Sequence, residues 1–271
     1  MSLIRSQELA ERLGEPGLVV CDVRFHLGDH GKGRREYAEG HIPGARFVDL
    51  HAELAGGPGG GRHPLPLVED FAALLGRLGV TPGSTVVSYD SAGGAVAARL
   101  WWMLRSIGHV GATVLDGGWQ AWIAGAYPAD SRAPLVEETS YPAVSQWTGT
   151  VNADDVAEAV GTGLRVIDAR APERYRGDVE PIDPRAGHIP GAINRFHGDN
   201  LTGDGTHLGN DELAARFADV GPAAIVYCGS GVTACADLLA MEAAGITDAR
   251  LYPGSWSDWC SDPNRPIATD G

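Results

Sequence analysis

The sequence predicts an α/β fold in two tandem copies, each a parallel sheet with helices on both faces. Short apolar runs alternate along the chain with segments of helical period. Four sequence anchors also occur twice, in the same order. Because buried strands joined by helices form parallel sheets, the alternation indicates the fold class and the repeat indicates two copies.

The four anchors are separated by the length of a whole domain. The hexapeptide Gly-His-Ile-Pro-Gly-Ala occurs unchanged at 40–45 and 187–192. An apolar run that ends in Asp-x-Arg occurs at 18–24 and 164–170. A second apolar run occurs at 86–90 and 224–228, and a Gly-containing segment before tryptophan occurs at 115–119 and 252–256. Two copies of one fold are therefore expected.

The first copy contains the clearest element patterns. Its apolar runs predict strands at residues 19–23, 46–50, 85–89 and 113–115. Its helical periods predict helices at residues 35–39, 67–78, 95–107 and 118–124, with a turn at 40–44. In the helix at 67–78, Leu67, Phe71 and Leu75 share one face, and Gly79 can end it.

The domain boundaries follow from the repeat and from the position of prolines. We expect an N-terminal domain at 1–126, a linker at 127–147 and a C-terminal domain at 148–271. The linker contains three prolines and an acidic pair, a composition typical of a segment that crosses a surface. Asn152 is placed to cap the first helix of the second copy at 153–160.

The most informative stretch surrounds Cys228, which follows an apolar run and precedes a small-residue loop and a helical pattern. In open α/β sheets, ligands bind at the carboxyl ends of strands. Loop amides and a helix N-terminus favour an anion there, and such a site can activate a thiolate. A buried, inert cysteine is the alternative that the stretch alone leaves open.

The first copy has Asp90 at the position that corresponds to Cys228. A carboxylate in an anion-binding loop would repel an anionic substrate. We therefore expect the N-terminal domain to be catalytically inactive and the C-terminal domain to carry the chemistry.

Composition narrows the classes of function. The formal net charge of −14 disfavours nucleic-acid binding, which needs a basic patch. No apolar run approaches the ~18 residues of a membrane span, and the N-terminus lacks a signal-peptide pattern. The four cysteines fit neither a disulfide scaffold nor a metal site. We expect a cytoplasmic monomer without a cofactor, a nucleic-acid partner or a membrane partner.

Taken together, the repeated hexapeptide, the paired Asp-x-Arg strands, the Gly-x-Trp segments and the Cys228 loop resemble the tandem rhodanese-domain sulfurtransferases over nearly the whole chain. The resemblance implies two rhodanese-like domains. Members of this family are of two types that differ in the loop after the cysteine. Thiosulfate enzymes typically have Cys-Arg-Lys-Gly-Val-Thr, and 3-mercaptopyruvate enzymes have Cys-Gly-Ser/Thr-Gly-Val-Thr. Residues 228–233 have the second form.

That resemblance implies a sulfur-transfer scheme. The Cys228 thiolate takes sulfur from a small anionic donor, and the resulting persulfide passes it to a thiol acceptor, such as thioredoxin or a small thiol, or to cyanide. The cradle for these sulfur anions is the loop, with Gly229, Gly231, Val232 and Thr233 as its substrate-binding residues.

Two arginines are candidates for the donor's anionic group. Arg174 matches the family arginine that precedes an aromatic residue and binds the substrate anion. Arg185 is nearest to the position of a second arginine that mercaptopyruvate enzymes carry upstream of the second hexapeptide, although the intervening segment is shorter here.

A Ser-His-Asp relay is also implied by the resemblance. Ser230 of the loop, His63 and Asp49 match the family positions proposed for it. Such a relay could orient the substrate carbonyl or move the proton of the enolate. A solvated loop histidine is the alternative for His63.

Three other functions compete with the mercaptopyruvate assignment. A thiosulfate:cyanide sulfurtransferase is the nearest, because the loop rule is a tendency. A cysteine phosphatase of related fold needs an arginine six residues after its cysteine, where this chain has Ala234. A non-enzymatic sulfur-relay or interaction module is disfavoured by the intact Cys228 loop and Arg174.

Overall fold

The computed structural model describes residues 2–57, 59–142 and 144–269. The chain forms two compact units. Unit 1 contains the described residues of Met1–Gly56, Pro66–Thr148 and Gly203–His207, and unit 2 contains those of Gly57–Leu65, Gly149–Thr202 and Leu208–Gly271. The segment predicted as a linker at 127–147 groups with unit 1.

Unit 1 is a five-stranded parallel sheet with helices. Its strands are β1 (Leu3–Ile4), β2 (Leu18–Asp22), β3 (Arg46–Phe47), β4 (Thr85–Tyr89) and β5 (Ala112–Leu115), in the order β1-β5-β4-β2-β3. Its helices are α1 (Ser6–Arg12), α2 (Lys32–Glu39), α3 (Leu50–Glu53), α4 (Val68–Arg77), α5 (Ala97–Ser106) and α6 (Gly118–Ala124). The central strand β4 is buried from Val86 to Tyr89, as expected for a parallel sheet covered on both faces.

Unit 2 repeats this architecture with four parallel strands. Its strands are β6 (Arg165–Asp168), β7 (Ile193–Asn194), β8 (Ala224–Tyr227) and β9 (Arg250–Leu251), in the order β7-β6-β8-β9. Its helices are α7 (Ala153–Thr162), α8 (Pro172–Tyr175), α9 (Asn210–Arg216), α10 (Ala234–Ala243) and α11 (Ser255–Trp259), with a short 3-10 helix at His197–Asn200. The predicted fold class is confirmed.

Most predicted elements are found within a few residues of their expected bounds. Asn152 caps α7 as predicted: its side chain accepts from the amides of Asp154 and Asp155, and Asp155 closes a capping box. The helix expected at 35–39 begins three residues earlier, at Lys32. The elements β1 and α1 were not predicted, because their apolar residues are few.

The strand predicted at 46–50 is wrong in its second half. Strand β3 ends at Phe47, and Leu50 begins helix α3. The cause is Asp49, whose carboxylate accepts hydrogen bonds from the amides of His51 and Ala52 and so caps a helix where the apolar run continues.

The histidines of the two hexapeptides hold their turns. His41 Nδ1 lies 2.7 Å from the carbonyl oxygen of Tyr37, and His188 Nδ1 lies 2.8 Å from that of Tyr175. Each imidazole also stacks on the ring of the same tyrosine. The duplicated histidines are thus structural in both units.

In the part of the chain that the structure describes, no helix is long and apolar enough to cross a membrane.

Candidate active site

Cys228 lies at the carboxyl end of β8, where the loop to α10 begins. Its amide donates to Ser255 Oγ at 3.1 Å, and its carbonyl accepts from the amide of Trp256 at 2.9 Å. The carbonyl of Gly229 likewise accepts from the amide of Ser257. Helix α11 therefore fixes the start of the loop, and Cys228 is 1% exposed.

The loop geometry requires glycine at position 231. Gly231 has a φ of +74°, a region that other residues rarely adopt. A Cβ there would also collide with the carbonyl group of Pro253. Val232 is buried, and Thr233 is the half-buried residue that precedes α10. The five residues between Cys228 and α10 thus turn the backbone tightly into the helix.

The corresponding loop of unit 1 shows what this geometry binds. Asp90 takes the position of Cys228, and its carboxylate accepts four backbone amides at 2.7–2.9 Å, from Ala92, Gly94, Val96 and Ala97. Asp90 is 1% exposed. Asp90 therefore occupies the anion-binding position of its own loop. Besides the expected repulsion by its charge, it leaves no place there for an anionic substrate. The strand-loop-helix turn is an anion-binding cradle.

Ser230 and His63 form a buried pair in unit 2. His63 Nδ1 lies 2.8 Å from Ser230 Oγ, and the residues are 4% and 8% exposed. The predicted contact between serine and histidine is thus present, and His63 is a buried residue rather than a solvated one. Asp49 belongs to unit 1, where it caps α3. The third member of the relay stays a prediction.

Two guanidinium groups face the loop at Gly229. A Cβ built on Gly229 would lie 2.9 Å from Arg62 Nη2 and 3.4 Å from Arg174 Nη1. Arg174 comes from α8, and Arg62 comes from Gly57–Leu65. The amide of Arg62 donates to Ser257 Oγ at 3.1 Å, which fixes its backbone near α11. Arg174 was predicted here, whereas Arg62 was missed, although it directly precedes His63.

Two carboxylates neutralise these arginines. Glu180 accepts from Arg174 Nη2 at 2.6 Å, and Asp183 forms ion pairs with both Arg174 and Arg62. Both carboxylates are nearly buried, with side chains 3% and 4% exposed. Burial alone would raise the pKa of Glu180, but hydrogen bonds from Arg174 and from the amide of Asp183 hold that pKa below its ordinary value. Burial raises the pKa of Asp183.

A third arginine, Arg170, is buried and adjoins this cluster. Arg170 pairs with Asp168 at 2.6 Å and reaches Glu180 at 3.3 Å, and its guanidinium lies over the ring of Trp256. In unit 1, Arg24, Asp22 and Trp119 form the same arrangement. This pair therefore belongs to the architecture of both units.

Arg185, the predicted second anion-binding arginine, binds the C-terminal segment in this structure. Its Nη1 donates to the carbonyl of Asp262 at 3.0 Å, and its Nη2 donates to that of Arg265 at 3.2 Å. Its role toward the donor stays a prediction.

Within the described ranges, no group of three His, Cys, Asp or Glu side chains is arranged to hold a metal ion.

Comparison with protein families matches the rhodanese-like domain model twice, at residues 6–125 and 152–262. The chain belongs to the rhodanese family. The resemblance to tandem rhodanese-domain sulfurtransferases is thereby confirmed, because each copy of the repeat corresponds to one rhodanese-like domain.

Relatives of this rhodanese-family chain have two kinds of name. A protein of Pseudomonas aeruginosa named probable 3-mercaptopyruvate sulfurtransferase is 43% identical over 98% of both chains. A protein of Mycobacterium tuberculosis named putative thiosulfate sulfurtransferase SseB is 42% identical over 98% of this chain and 96% of its own. The crystal structure of SseA from Escherichia coli, described as a 3-mercaptopyruvate sulfotransferase, has a TM-score of 0.81 at 32% identity and covers 95% of this chain and 100% of its own.

Proposed function

We propose that this rhodanese-family chain is a sulfurtransferase that moves sulfur from 3-mercaptopyruvate through a persulfide on Cys228. The observation that carries the proposal is the position of this cysteine. It stands where Asp90 stands in unit 1, at the start of a loop whose unit 1 counterpart holds an anionic group with four amides. The names of relatives at 34–43% identity supply the donor.

The first half-reaction makes one bond and breaks one. The Cys228 thiolate attacks the sulfur of 3-mercaptopyruvate, a sulfur–sulfur bond forms, and the carbon–sulfur bond breaks. The electron pair of the broken bond stays on carbon as the enolate of pyruvate, which takes up one proton. Ser230 of the loop and His63 are a hydrogen-bonded pair and can supply that proton or polarise the carbonyl of the donor.

The loop amides favour each sulfur anion of this sequence. In unit 1 the matching amides bind a carboxylate at hydrogen-bond distance. Alignment of Asp90 with Cys228 places Ser230, Val232, Ala234 and Cys235 at the positions of the four amide donors, and of these the Cys235 amide donates to the carbonyl of Val232. Preorganised amides that face a buried anion stabilise it without rearrangement, and this applies to the thiolate before transfer and to the persulfide after it.

The second half-reaction returns the enzyme to its starting state. An acceptor thiolate, or cyanide, attacks the outer sulfur of the Cys228 persulfide. The sulfur–sulfur bond to Cys228 breaks, and its electron pair regenerates the Cys228 thiolate. We propose thioredoxin or a small thiol as the acceptor.

Thiosulfate is the second candidate donor, and one observation favours it. Arg62 and Arg174 bring two guanidinium groups to Gly229, so the site has more positive charge than the uncharged loop sequence indicates. A compact dianion could use that charge, and one relative is named a putative thiosulfate sulfurtransferase. Glu180 and Asp183 offset this charge in the free protein. The smaller remaining positive charge favours 3-mercaptopyruvate, a monoanion, over thiosulfate.

Parallel assays separate the donors and test the nucleophile. Pyruvate release from 3-mercaptopyruvate is measured beside thiocyanate formation from thiosulfate and cyanide, in wild type, Cys228→Ser and the control Cys260→Ala. We expect mercaptopyruvate to be preferred. After incubation with the donor, the protein mass should increase by one sulfur atom in wild type and Cys260→Ala but not in Cys228→Ser. A preference for thiosulfate would overturn the donor, and turnover by Cys228→Ser would overturn the mechanism.

A further inference from the structure

The side chain of Asp183 bridges the two arginines that face Gly229. Its Oδ1 pairs with Arg62 Nη1, and its Oδ2 lies 3.3 Å from Arg174 Nη2. One carboxylate is thus shared by two guanidinium groups, and this is an arrangement in which arginines bind a carboxylate ligand.

The bridged pair lies beside the nucleophile. Both guanidinium groups come within 2.9–3.4 Å of the position where a Cβ of residue 229 would be, and Gly229 is bonded to Cys228. A side chain at position 229 would displace Arg62 Nη2. The glycine therefore gives Arg62 access to the backbone next to the thiol.

The charges of this cluster balance when Asp183 is included. Arg62, Arg170 and Arg174 face Asp168, Glu180 and Asp183, which makes three cations and three carboxylates. An incoming donor carboxylate would add a fourth negative charge to a nearly buried group. Removal of Asp183 from the bridge leaves one positive charge for the donor.

Arg62 also has hydrogen-bonding capacity to spare. Its Nε is buried and has no hydrogen-bond partner among the described residues. A buried donor without a partner costs free energy, and a bound carboxylate that took both Nε and Nη would recover it. Arg174 keeps Glu180 on its Nε and Nη2, so its orientation does not depend on Asp183.

We propose that Arg62 and Arg174 hold the carboxylate of the 2-oxo acid donor, and that Asp183 occupies this place until the donor displaces it. Asp183 follows an exposed Ile182 and precedes an exposed Pro184, so rotation of its side chain toward solvent opens the bridge. Arg62 then determines donor affinity, and Asp183 competes with the donor. This inference rests on the proposed function for the identity of the donor.

Binding of pyruvate tests the inference without turnover. Pyruvate carries the carboxylate and carbonyl of the proposed donor but has no sulfur to transfer, so its Kd can be measured calorimetrically in a Cys228→Ser background. Arg62→Gln keeps one donor nitrogen but loses the second donor and the charge, so we expect it to weaken binding by about tenfold, and Arg62→Lys, which keeps the charge, to weaken it less. Asp183→Asn should tighten binding several-fold because the competing charge is gone.

The matched control is Arg176→Gln, which removes an exposed arginine that pairs with Asp178 on the same segment. Its Kd for pyruvate should equal that of the background. Equal Kd values for Arg62→Gln and Arg176→Gln would overturn the role of Arg62. Weaker binding in Asp183→Asn would overturn competition, since Asp183 would then be holding the arginines in place.

Turnover by wild type tests the donor, and pyruvate binding by the variants tests the two-arginine site. Absence of pyruvate release from 3-mercaptopyruvate by wild type would overturn the donor assignment. Pyruvate that binds Cys228→Ser without dependence on Arg62, while wild type turns over mercaptopyruvate, would overturn the two-arginine site alone. Absence of any pyruvate binding would also overturn that site.

Discussion

Nδ1 of His63 lies 2.8 Å from Oγ of Ser230 in the Cys228 loop, and both residues are buried. The histidine is supplied by Gly57–Leu65, which belongs to unit 2 although it lies in the first half of the sequence. This contact places a histidine and a serine where the proposed mechanism needs a general acid-base group, next to Cys228.

Ser230→Ala removes the hydroxyl from this pair. If the pair delivers the enolate proton, kcat for pyruvate release from 3-mercaptopyruvate should fall by about a hundredfold, the lower range of general acid-base catalysis. Transfer from thiosulfate to cyanide, which forms no enolate, should fall much less. Steady-state kinetics with both donors measure the difference.

The control for Ser230→Ala is Ser261→Ala, which removes an exposed serine hydroxyl of unit 2 that donates to the carbonyl of Asp258. Its kcat should stay within twofold of wild type for both donors. An equal fall of kcat with both donors in Ser230→Ala would indicate a structural role for Ser230 and contradict the proton-transfer role.

Asp90→Asn tests the self-filled cradle of unit 1. An amide nitrogen cannot accept hydrogen bonds, so two of the four backbone amides that now point at the carboxylate would lose their acceptor. We expect the free energy of unfolding to fall by about 3 kcal/mol, measured by urea denaturation. Turnover of the folded protein should be retained, since Cys228, the proposed nucleophile, lies in unit 2.

Glu138→Gln is the matched control, because it neutralises an exposed acidic residue of unit 1. Its unfolding midpoint should match that of wild type. An Asp90→Asn variant as stable as Glu138→Gln would show that the four amides do not depend on the charge of Asp90.

The strand-loop-helix turn at Cys228 could be predicted because its signals are local. The apolar run, the glycines and the helical period lie within a dozen residues, and the repeat supplied Asp90 as an internal comparison. The Asn152 cap was predictable for the same reason, since capping depends on residues two and three positions away.

Arg62 and Asp183 could not be predicted, because their meeting depends on tertiary structure. They are separated by 121 positions in sequence. The glycine-rich run before Arg62 indicates only a flexible loop, and the short segment around Asp183 has no periodicity. The predicted end of β3 is wrong for a related reason: the apolar pattern continues to Leu50, but the capping side chain of Asp49 starts a helix there.

Asp237 of α10 gives the fold a predictable dependence on pH. Its carboxylate is fully buried, and Oδ1 accepts from Asn200 Nδ2 at 2.7 Å, while Asn200 Oδ1 accepts from Arg216. Burial raises the pKa of Asp237 to about 7, against the hydrogen bond from Asn200 and the charge of Arg216. An unfolded aspartate has a pKa of about 4.

The sign of the effect follows from proton counts. Between about pH 4 and pH 7 the native state holds a proton on Asp237 that the unfolded state has lost. Stability contributed by this group therefore falls as pH rises through that window, by about 1.4 kcal/mol for each pH unit. Asp237→Asn removes the titration, so its unfolding free energy relative to wild type should increase by about 4 kcal/mol from pH 4 to pH 7.

Urea denaturation of both proteins at each pH measures this difference, and the titrations of all other groups cancel. Asp248→Asn, an exposed substitution in unit 2, should show a constant difference from wild type across the same range. A constant difference for Asp237→Asn would contradict the assignment, because it would mean that Asp237 ionises in the native state as it does in the unfolded chain. A difference that shrinks with rising pH would mean that Arg216 stabilises the carboxylate more than burial destabilises it.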